Sequence, residues 1–409
     1  MTQEKLQNYA NLLVRAGGNV QKGQLVIISC EIDAAEFGRM IQKSAYEAGA
    51  SEVIITWEDS HSTREKYLSA SDDVFDTYPQ WMIDRFKEWD DRGAVYLRVL
   101  STDPDFLNGV EPDRIARFTK VASQGTKDHS ALLMSRKRRW SLCALPSLGW
   151  AKKVFPDLSD DAAIEQLGEY ILKAARADGN DPVDAWKTHR ASFVSRVQHL
   201  NNAQFVAVKF KNALGTDLTV GMPKNHIWTG GGSTGGDGIA FFPNIPTEEI
   251  FAAPDRNRVE GRVVASLPLS YQGNLIEGID ITFKAGEVVD FTAKTAKDVL
   301  TNLIGTDEGS KRLGEVALVP KSSPINQMGT LFYNTLFDEN ASCHLAIGKA
   351  YPTNLQGGVD MTTEELLANG INTSLVHVDF MFGTDDMVVT GITADGQEQV
   401  IMENGEFVI

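Results

Sequence analysis

Within the first hundred residues, short apolar runs alternate with helical patterns, and this alternation restricts the fold more than any other feature of the chain. Residues 24–29 (QLVIIS), 51–57 (SEVIITW) and 93–100 (GAVYLRVL) have strand character. Between them, residues 33–48 (DAAEFGRMIQKSAYEA) read as a helix ending at Gly49, and residues 62–68 read as another. An earlier helix carries Leu6, Tyr9, Leu12, Leu13 and Ala16 at helical spacing and stops at Gly17-Gly18. Strands separated by helices build βαβ units. The N-terminal part is therefore predicted to be an α/β domain with a parallel, three-layer sheet.

Sheets of this kind often bind nucleotides, but the phosphate signatures are missing. The turn after the first run is Cys30-Glu31-Ile32-Asp33. It lacks GxGxxG, and its acidic side chains oppose a pyrophosphate at a helix N-terminus. The glycine-rich stretch 229–238 (TGGGSTGGDG) is not followed by GK[ST]. Its glycines are read as a mobile loop or as a close backbone approach to a site. A net charge of −16, from 39 basic and 55 acidic residues, also argues against nucleic acid and anionic lipid as partners. The one dense basic run, Arg136 to Arg139 before Trp140, is read as a solvated turn or a neighbour for the acidic surface.

A length of 409 residues points to two domains at about 150 residues each. Helical patterns at 159–177 and 186–200 are separated by Asp181-Pro182, and the 180–200 region is read as the connection. The expected domains are 1–190 and 191–409. Beyond residue 200, short strands flank Leu214-Gly215-Thr216 and Lys284-Ala285-Gly286 as hairpins, with further turns at Asp395-Gly396 and Asn404-Gly405. The C-terminal part is thus predicted to be an α+β domain with a largely antiparallel sheet. The chain's 3 cysteines form no metal-binding spacing, no signal-peptide pattern opens the chain, and no membrane-length apolar run occurs. The expectation is a cytoplasmic protein with no membrane association.

Residues 372–382 carry the clearest chemical signal. Strand alternation puts His377 and Asp379 on one face, with Val376, Val378, Phe380 and Phe382 on the other. Two potential metal ligands would then project together from a rigid element, the alternative being a surface Asp–His pair. A short helix precedes the strand, with Thr362 and Glu365 as a capping box and Asn369-Gly370 as its stop. Glu339 and His344 are spaced for neither a helix face nor a strand face, so the backbone between them must be irregular if both serve. Cys343 is read as a small packed hydrophobe. Glu248-Glu249 and Glu315 each adjoin an apolar run, where a carboxylate is costly unless paired or metal-bound. Four carboxylates and two imidazoles without a thiolate suit two divalent ions, which at about 3.5–4 Å apart share a hydroxide and polarise a carbonyl.

Several linked segments resemble the aminopeptidase S/T family of dinuclear metallo-aminopeptidases. They are 244–254 (NIPTEEIFAAP), 313–319 (LGEVALV), 339–348 (ENASCHLAIG), Ala350-Tyr351-Pro352 and His377-Val378-Asp379, with 22–26 (KGQLV) and 150–156 (WAKKVFP) also similar. The family pattern has Thr where Ala252 stands, a change expected to be tolerated. The resemblance implies Glu249, Glu315, Glu339, His344 and Asp379 as ligands of two divalent ions (Zn, Co, Mn or Mg), with His377 a ligand or its close neighbour. Of the adjacent pair, Glu249 is preferred to Glu248. Tyr351 would stabilise the tetrahedral intermediate or position substrate, with Glu315 or Glu249 moving protons. It further implies a homodimer with an internal cavity, the N-terminal domain as lid, and short peptides or unfolded N-termini as substrates. The rival readings are an amidase or deacylase using the same site, and a non-catalytic metal- or peptide-binding protein.

Overall fold

The computed structural model describes residues 1–409. Strands β1 (Leu25–Glu31), β2 (Glu52–Glu58), β3 (Val95–Leu100) and β4 (Trp140–Ala144) form a parallel sheet in the order β2-β1-β3-β4. The central strand β1 is buried along nearly its whole length, as its continuous apolar run requires. The helix Ala35–Glu47 follows it and buries Phe37, Ile41 and Ala45, residues at helical spacing.

The first three strands lie where the apolar runs put them, but β4 falls in a region that reads as irregular. Its pattern is inverted, with Ser141 buried while Trp140 and Leu142 stay partly exposed, so the hydrophobic signal of a strand is lost. The helices Pro112–Gly125 and Lys127–Met134 precede β4, and neither has a fully buried residue. The basic run needs correction. Arg139 is not solvated: it is only 3% exposed, donates to the Gly18 and Asn19 carbonyls and to Gln24 Oε1 (2.7 Å), and pairs with Asp237 (2.9 Å).

The remaining strands are short. β5 (Ala207–Lys211), β6 (Asp217–Gly221) and β7 (Thr229–Gly230) are followed by the small hairpin β8 (Ser233–Thr234) and β9 (Ala240–Phe241). Then come β10 (Ile250–Ala252), β11 (Val259–Val264), β12 (Leu269–Tyr271), β13 (Asn274–Ile276), β14 (Asp280–Lys284) and β15 (Glu287–Thr292). The chain finishes with β16 (Leu313–Leu318), β17 (His344–Gly348), β18 (His377–Met381), β19 (Val388–Ile392), β20 (Glu398–Glu403) and β21 (Glu406–Phe407).

These strands build an antiparallel sheet of eight in the order β15-β14-β11-β6-β5-β19-β20-β21 and another of five in the order β18-β17-β16-β10-β7. Both predicted hairpins, β5–β6 and β14–β15, are present. Val208, Phe210, Val220, Ile281 and Val389 of the large sheet share one apolar core with Ile250, Val316, Leu318, Leu345 and Phe380 of the smaller one. One face of the five-stranded sheet is thereby committed to the core. No helix is long and apolar enough to cross a membrane.

The chain forms two compact units, Met1–Lys187 with Gly232–Pro246, and Thr188–Gly231 with Thr247–Ile409. The first change of unit falls inside the helix Pro182–Ala203. Residues 232–246 then return to the first unit, an excursion that a single cut at 190 does not describe. Backbone pairing explains it: Leu142 N–H donates to Pro243 O (2.8 Å) and Ile245 N–H to Leu142 O (3.0 Å), which adds this segment alongside β4.

Candidate metal centre

Alternation decides which side chains reach the free face of the five-stranded sheet. Ile250, Ala252, Val316, Leu318, Leu345, Ile347 and Phe380 all point into the core. Their neighbours Phe251, Glu315, Ala317, His344, Ala346 and Asp379 therefore face the opposite way, as does His377. Register brings them together across strands distant in sequence: Glu315 lies beside Ala346 and Ala346 beside Asp379, while Ala317 lies beside His344 and Gly348 beside His377. Ala317 and Ala346 leave room for the longer side chains around them to converge.

Two glycines permit the close approach. A Cβ on Gly348, whose φ is +107°, would lie 2.1 Å from the Val376 carbonyl oxygen. A Cβ on Gly230 would lie 2.8 Å from the backbone oxygen of Glu249. Part of the glycine-rich stretch thus lets the backbone pass close to a ligand-bearing segment.

The result is a connected cluster. His344 Nε2 lies 3.1 Å from Glu249 Oε2 and 3.6 Å from Glu315 Oε1, and His377 Nε2 lies 3.6 Å from Glu315 Oε2 and 3.5 Å from Asp379 Oδ1. Glu249, Glu315 and His344 each offer a ligand atom within 4.8 Å of the others. His377 Nδ1–H donates to the Lys349 carbonyl (2.6 Å), which fixes the tautomer and leaves Nε2 facing the carboxylates. Glu339 sits half-buried on the irregular turn Glu339–Ala341, just before β17 begins at His344.

The electrostatics show how the groups feel one another. Burial, with Glu249 and Asp379 nearby, lifts the Glu315 carboxyl to about 7. Burial, with the charges of Asp379 and Glu249, lifts Glu339 well above the usual carboxylate range. For His377, burial works downward, but Asp379 and Glu315 outweigh it and raise the imidazole to about 10. His344 behaves alike through Glu249 and Glu315. Tyr351 is held above its ordinary value by burial and by Glu315, Asp379, Glu339 and Glu249, so its hydroxyl keeps its proton as a donor. Its ring lies 5.6 Å from that of His377 and 5.9 Å from that of Phe251.

The cluster has the character of a cation site that protein groups alone do not satisfy. Asp379 Oδ1 is buried and makes no hydrogen bond. Its contact with His377 Nε2 at 3.5 Å is an ion pair without a hydrogen bond, and a buried carboxylate oxygen so placed among other carboxylates is costly without a further cation. Carboxylate oxygens and imidazole nitrogens, with no thiolate, form a donor set that fits divalent ions such as Zn, Co or Mn.

Glu248 pairs with a different histidine. Its Oε1 is 3.9 Å from Nε2 of His189, which donates to the Thr247 carbonyl (2.7 Å). Cys343 is a core residue whose thiol burial pushes up to about 11, as expected of a packed hydrophobe. Three nearby residues escaped the sequence reading: His189, Phe251 and Asn340. Asn340 and Phe251 at least lie inside segments that the sequence singles out, 339–348 and 244–254, whereas His189 lies in none.

Over residues 2–407 the chain matches the thermophilic metalloprotease (M29) family. It is 45% identical to aminopeptidase AmpS of Bacillus subtilis over 404 residues, covering 99% of this chain and 98% of that one. It is 46% identical to aminopeptidase PepS of Streptococcus thermophilus over 407 residues, with the same coverage of 99% and 98%. The structure of wild-type AmpT from Thermus thermophilus matches with a TM-score of 0.93 at 38% identity, over 100% of both chains. A 2,5-dihydroxypyridine dioxygenase from Pseudomonas putida matches with a TM-score of 0.52 at 10% identity over 99% of this chain and 96% of that one, a likeness of fold alone.

Proposed function

The chain belongs to the thermophilic metalloprotease (M29) family and is a metal-dependent aminopeptidase, and from that premise we propose that the cluster on the five-stranded sheet is its catalytic centre. Glu249, Glu315, Glu339, His344, His377 and Asp379 would hold two divalent ions of Zn, Co, Mn or Mg. The observation that carries this reading is Asp379 Oδ1, buried without a hydrogen bond among the other carboxylates. When bound, such ions supply an activated water and polarise the scissile carbonyl.

The residues of the chain do the rest. Tyr351, kept protonated by its surroundings, donates its O–H to the oxygen on which negative charge develops. Glu315 or Glu249 takes the proton of the attacking water and returns it to the leaving amine. His377 is oriented by its bond to the Lys349 carbonyl, so its Nε2 stays directed into the cluster.

The wider reading rests on the family resemblance. It comprises a cytoplasmic homodimer acting on short peptides or unfolded N-termini, with residues 1–190 serving dimerisation and gating and residues 191–409 serving catalysis. The test is metal content by mass spectrometry alongside hydrolysis of leucyl-p-nitroanilide. The wild type should carry two ions per chain, and His344→Ala and Asp379→Ala should lose both metal and turnover. Full turnover by metal-free variants would sink the proposal, and cleavage of N-acetylated peptides but not free α-amines would replace it with an amidase.

A further inference from the structure

Five of the six proposed ligands are placed by the sheet: four stand on its strands and Glu249 directly precedes β10. Glu339 is not. It stands on a 3₁₀ turn of 3 residues, where no ladder of hydrogen bonds sets its distance from Glu249. Something else must fix that distance.

We propose that Asn340 is a positioning residue that locks the Glu339 turn to the Glu249 segment and so sets the spacing of two metal ligands, an inference that rests on the metal centre proposed above. Asn340 is 0% exposed. Its Oδ1 accepts the Glu248 N–H (2.7 Å), and its Nδ2 donates to the Leu336 carbonyl (2.9 Å) and toward Glu339 Oε1 (3.4 Å). Its own carbonyl accepts from Ser323 Oγ (2.6 Å), which is itself buried. A single planar amide thus touches the main chain one residue before Glu249 and the carboxylate of Glu339. Oδ1 and Nδ2 are held rigidly apart, so the two segments cannot drift independently while both bonds are made.

The two atoms have separable tasks. Oδ1 holds the Glu248 backbone, and with it the approach of Glu249 to His344. Nδ2 steadies the Glu339 carboxylate, which is surrounded by like charges. Loss of an outer hydrogen bond to a metal ligand lowers metal affinity by about 10–100-fold.

Asn340→Ala removes both functions. Asn340→Asp keeps an acceptor for the Glu248 N–H but replaces the donor with a carboxylate oxygen beside Glu339. Asn201→Ala serves as a control, since Asn201 exchanges hydrogen bonds with the Trp228 backbone and touches no ligand. Metal dissociation constants of the full-length folded variants would be measured by chelator competition, with hydrogen exchange read on the peptide containing Glu248. The expected result is a roughly 10–100-fold weakening in both Asn340 variants. Exchange at Glu248 should be faster in Asn340→Ala alone, and Asn201→Ala should bind metal like the wild type. Wild-type metal affinity in either folded Asn340 variant, or equal weakening by Asn201→Ala, overturns the proposal. If Asn340→Ala does not fold, Asn340→Asp decides alone. Glu339→Ala separates the two readings. If it keeps its metal, the ligand assignment fails; if it loses metal while the Asn340 variants do not, only the positioning role falls.

Discussion

Two buried carboxylates, one in each sheet system, have opposite surroundings. Glu31, at the C-terminal end of β1 in the parallel sheet, is 8% exposed and accepts from Ser60 Oγ (2.8 Å), the Ser60 N–H (3.2 Å) and Thr102 Oγ1 (3.0 Å). Asp379, on β18 of the five-stranded sheet, is 6% exposed, yet its Oδ1 has no hydrogen bond. The first carboxylate is satisfied by the protein and closes a structural joint. The second has only an ion-pair contact to His377 Nε2 (3.5 Å) and no hydrogen bond on that oxygen. Burial of acid alone therefore says little, and the informative quantity is how many donors the fold supplies.

The sharpest way to break this comparison is substitution at both places. His344→Ala and Glu315→Ala should abolish metal binding and reduce peptide hydrolysis to background. Glu31→Gln should leave metal content and kcat unchanged. If Glu31→Gln loses metal, or Glu315→Ala keeps it, the contrast is wrong.

Tyr351→Phe should come next in size. Removing one donor to a developing oxyanion costs about 10²–10³ in kcat. Metal content should not change, so retained metal with a normal rate would exclude the hydroxyl from the reaction.

Metal removal should reveal the strain of the cluster through pH. Glu315 in the metal-free fold is raised from its ordinary value to about 7, so the stability it contributes is present below about 4.5 and lost as pH rises through 7. His377 is raised to about 10, so its contribution is present below about 6.5 and lost as pH rises through 10. Both act in one direction, and the stripped protein should lose stability from about pH 4.5 towards 10. The metal-loaded protein should not follow, because coordination holds the carboxylates ionised and the imidazoles neutral. Thermal midpoints of the two forms across pH would check this, and a gap that narrows with rising pH would contradict it.

The smallest effects lie in local structure. Glu31→Gln should cost about 1–2 kcal/mol of stability through weakened hydrogen bonds. Thr362→Ala should cost about 1 kcal/mol by removing the capping box of the helix Thr363–Ala368, where Thr362 Oγ1 accepts from the Glu365 N–H and Glu365 accepts in return. Denaturant titration reads both, and neither should alter metal affinity.

Local patterns were legible where the physics is local. The alternation at His377-Val378-Asp379 settles that both polar side chains leave the core, because strand period is a property of neighbouring residues. The capping box at Thr362 is equally local, and so is the condition that Glu339 and His344, if both are ligands, need an irregular backbone between them. What stayed hidden is instructive. β4 was masked by its inward Ser141, and buried Arg139 resembled a surface charge because its acceptors come from residues 18, 19 and 24.

The amino-acid sequence by itself determined the alternating α/β start, the antiparallel second half, the donor types available and, through linked motifs, the family. Only the tertiary structure decided that Glu249 lies 3.1 Å from His344 while Glu248 lies 3.9 Å from His189, that Ala346 stands between Glu315 and Asp379, and that Asn340 joins two distant segments. The reason is physical. Periodicity specifies the face a side chain takes within its own element. Register between strands, close glycine contacts and a buried amide specify which faces meet, and those depend on residues far apart in the chain.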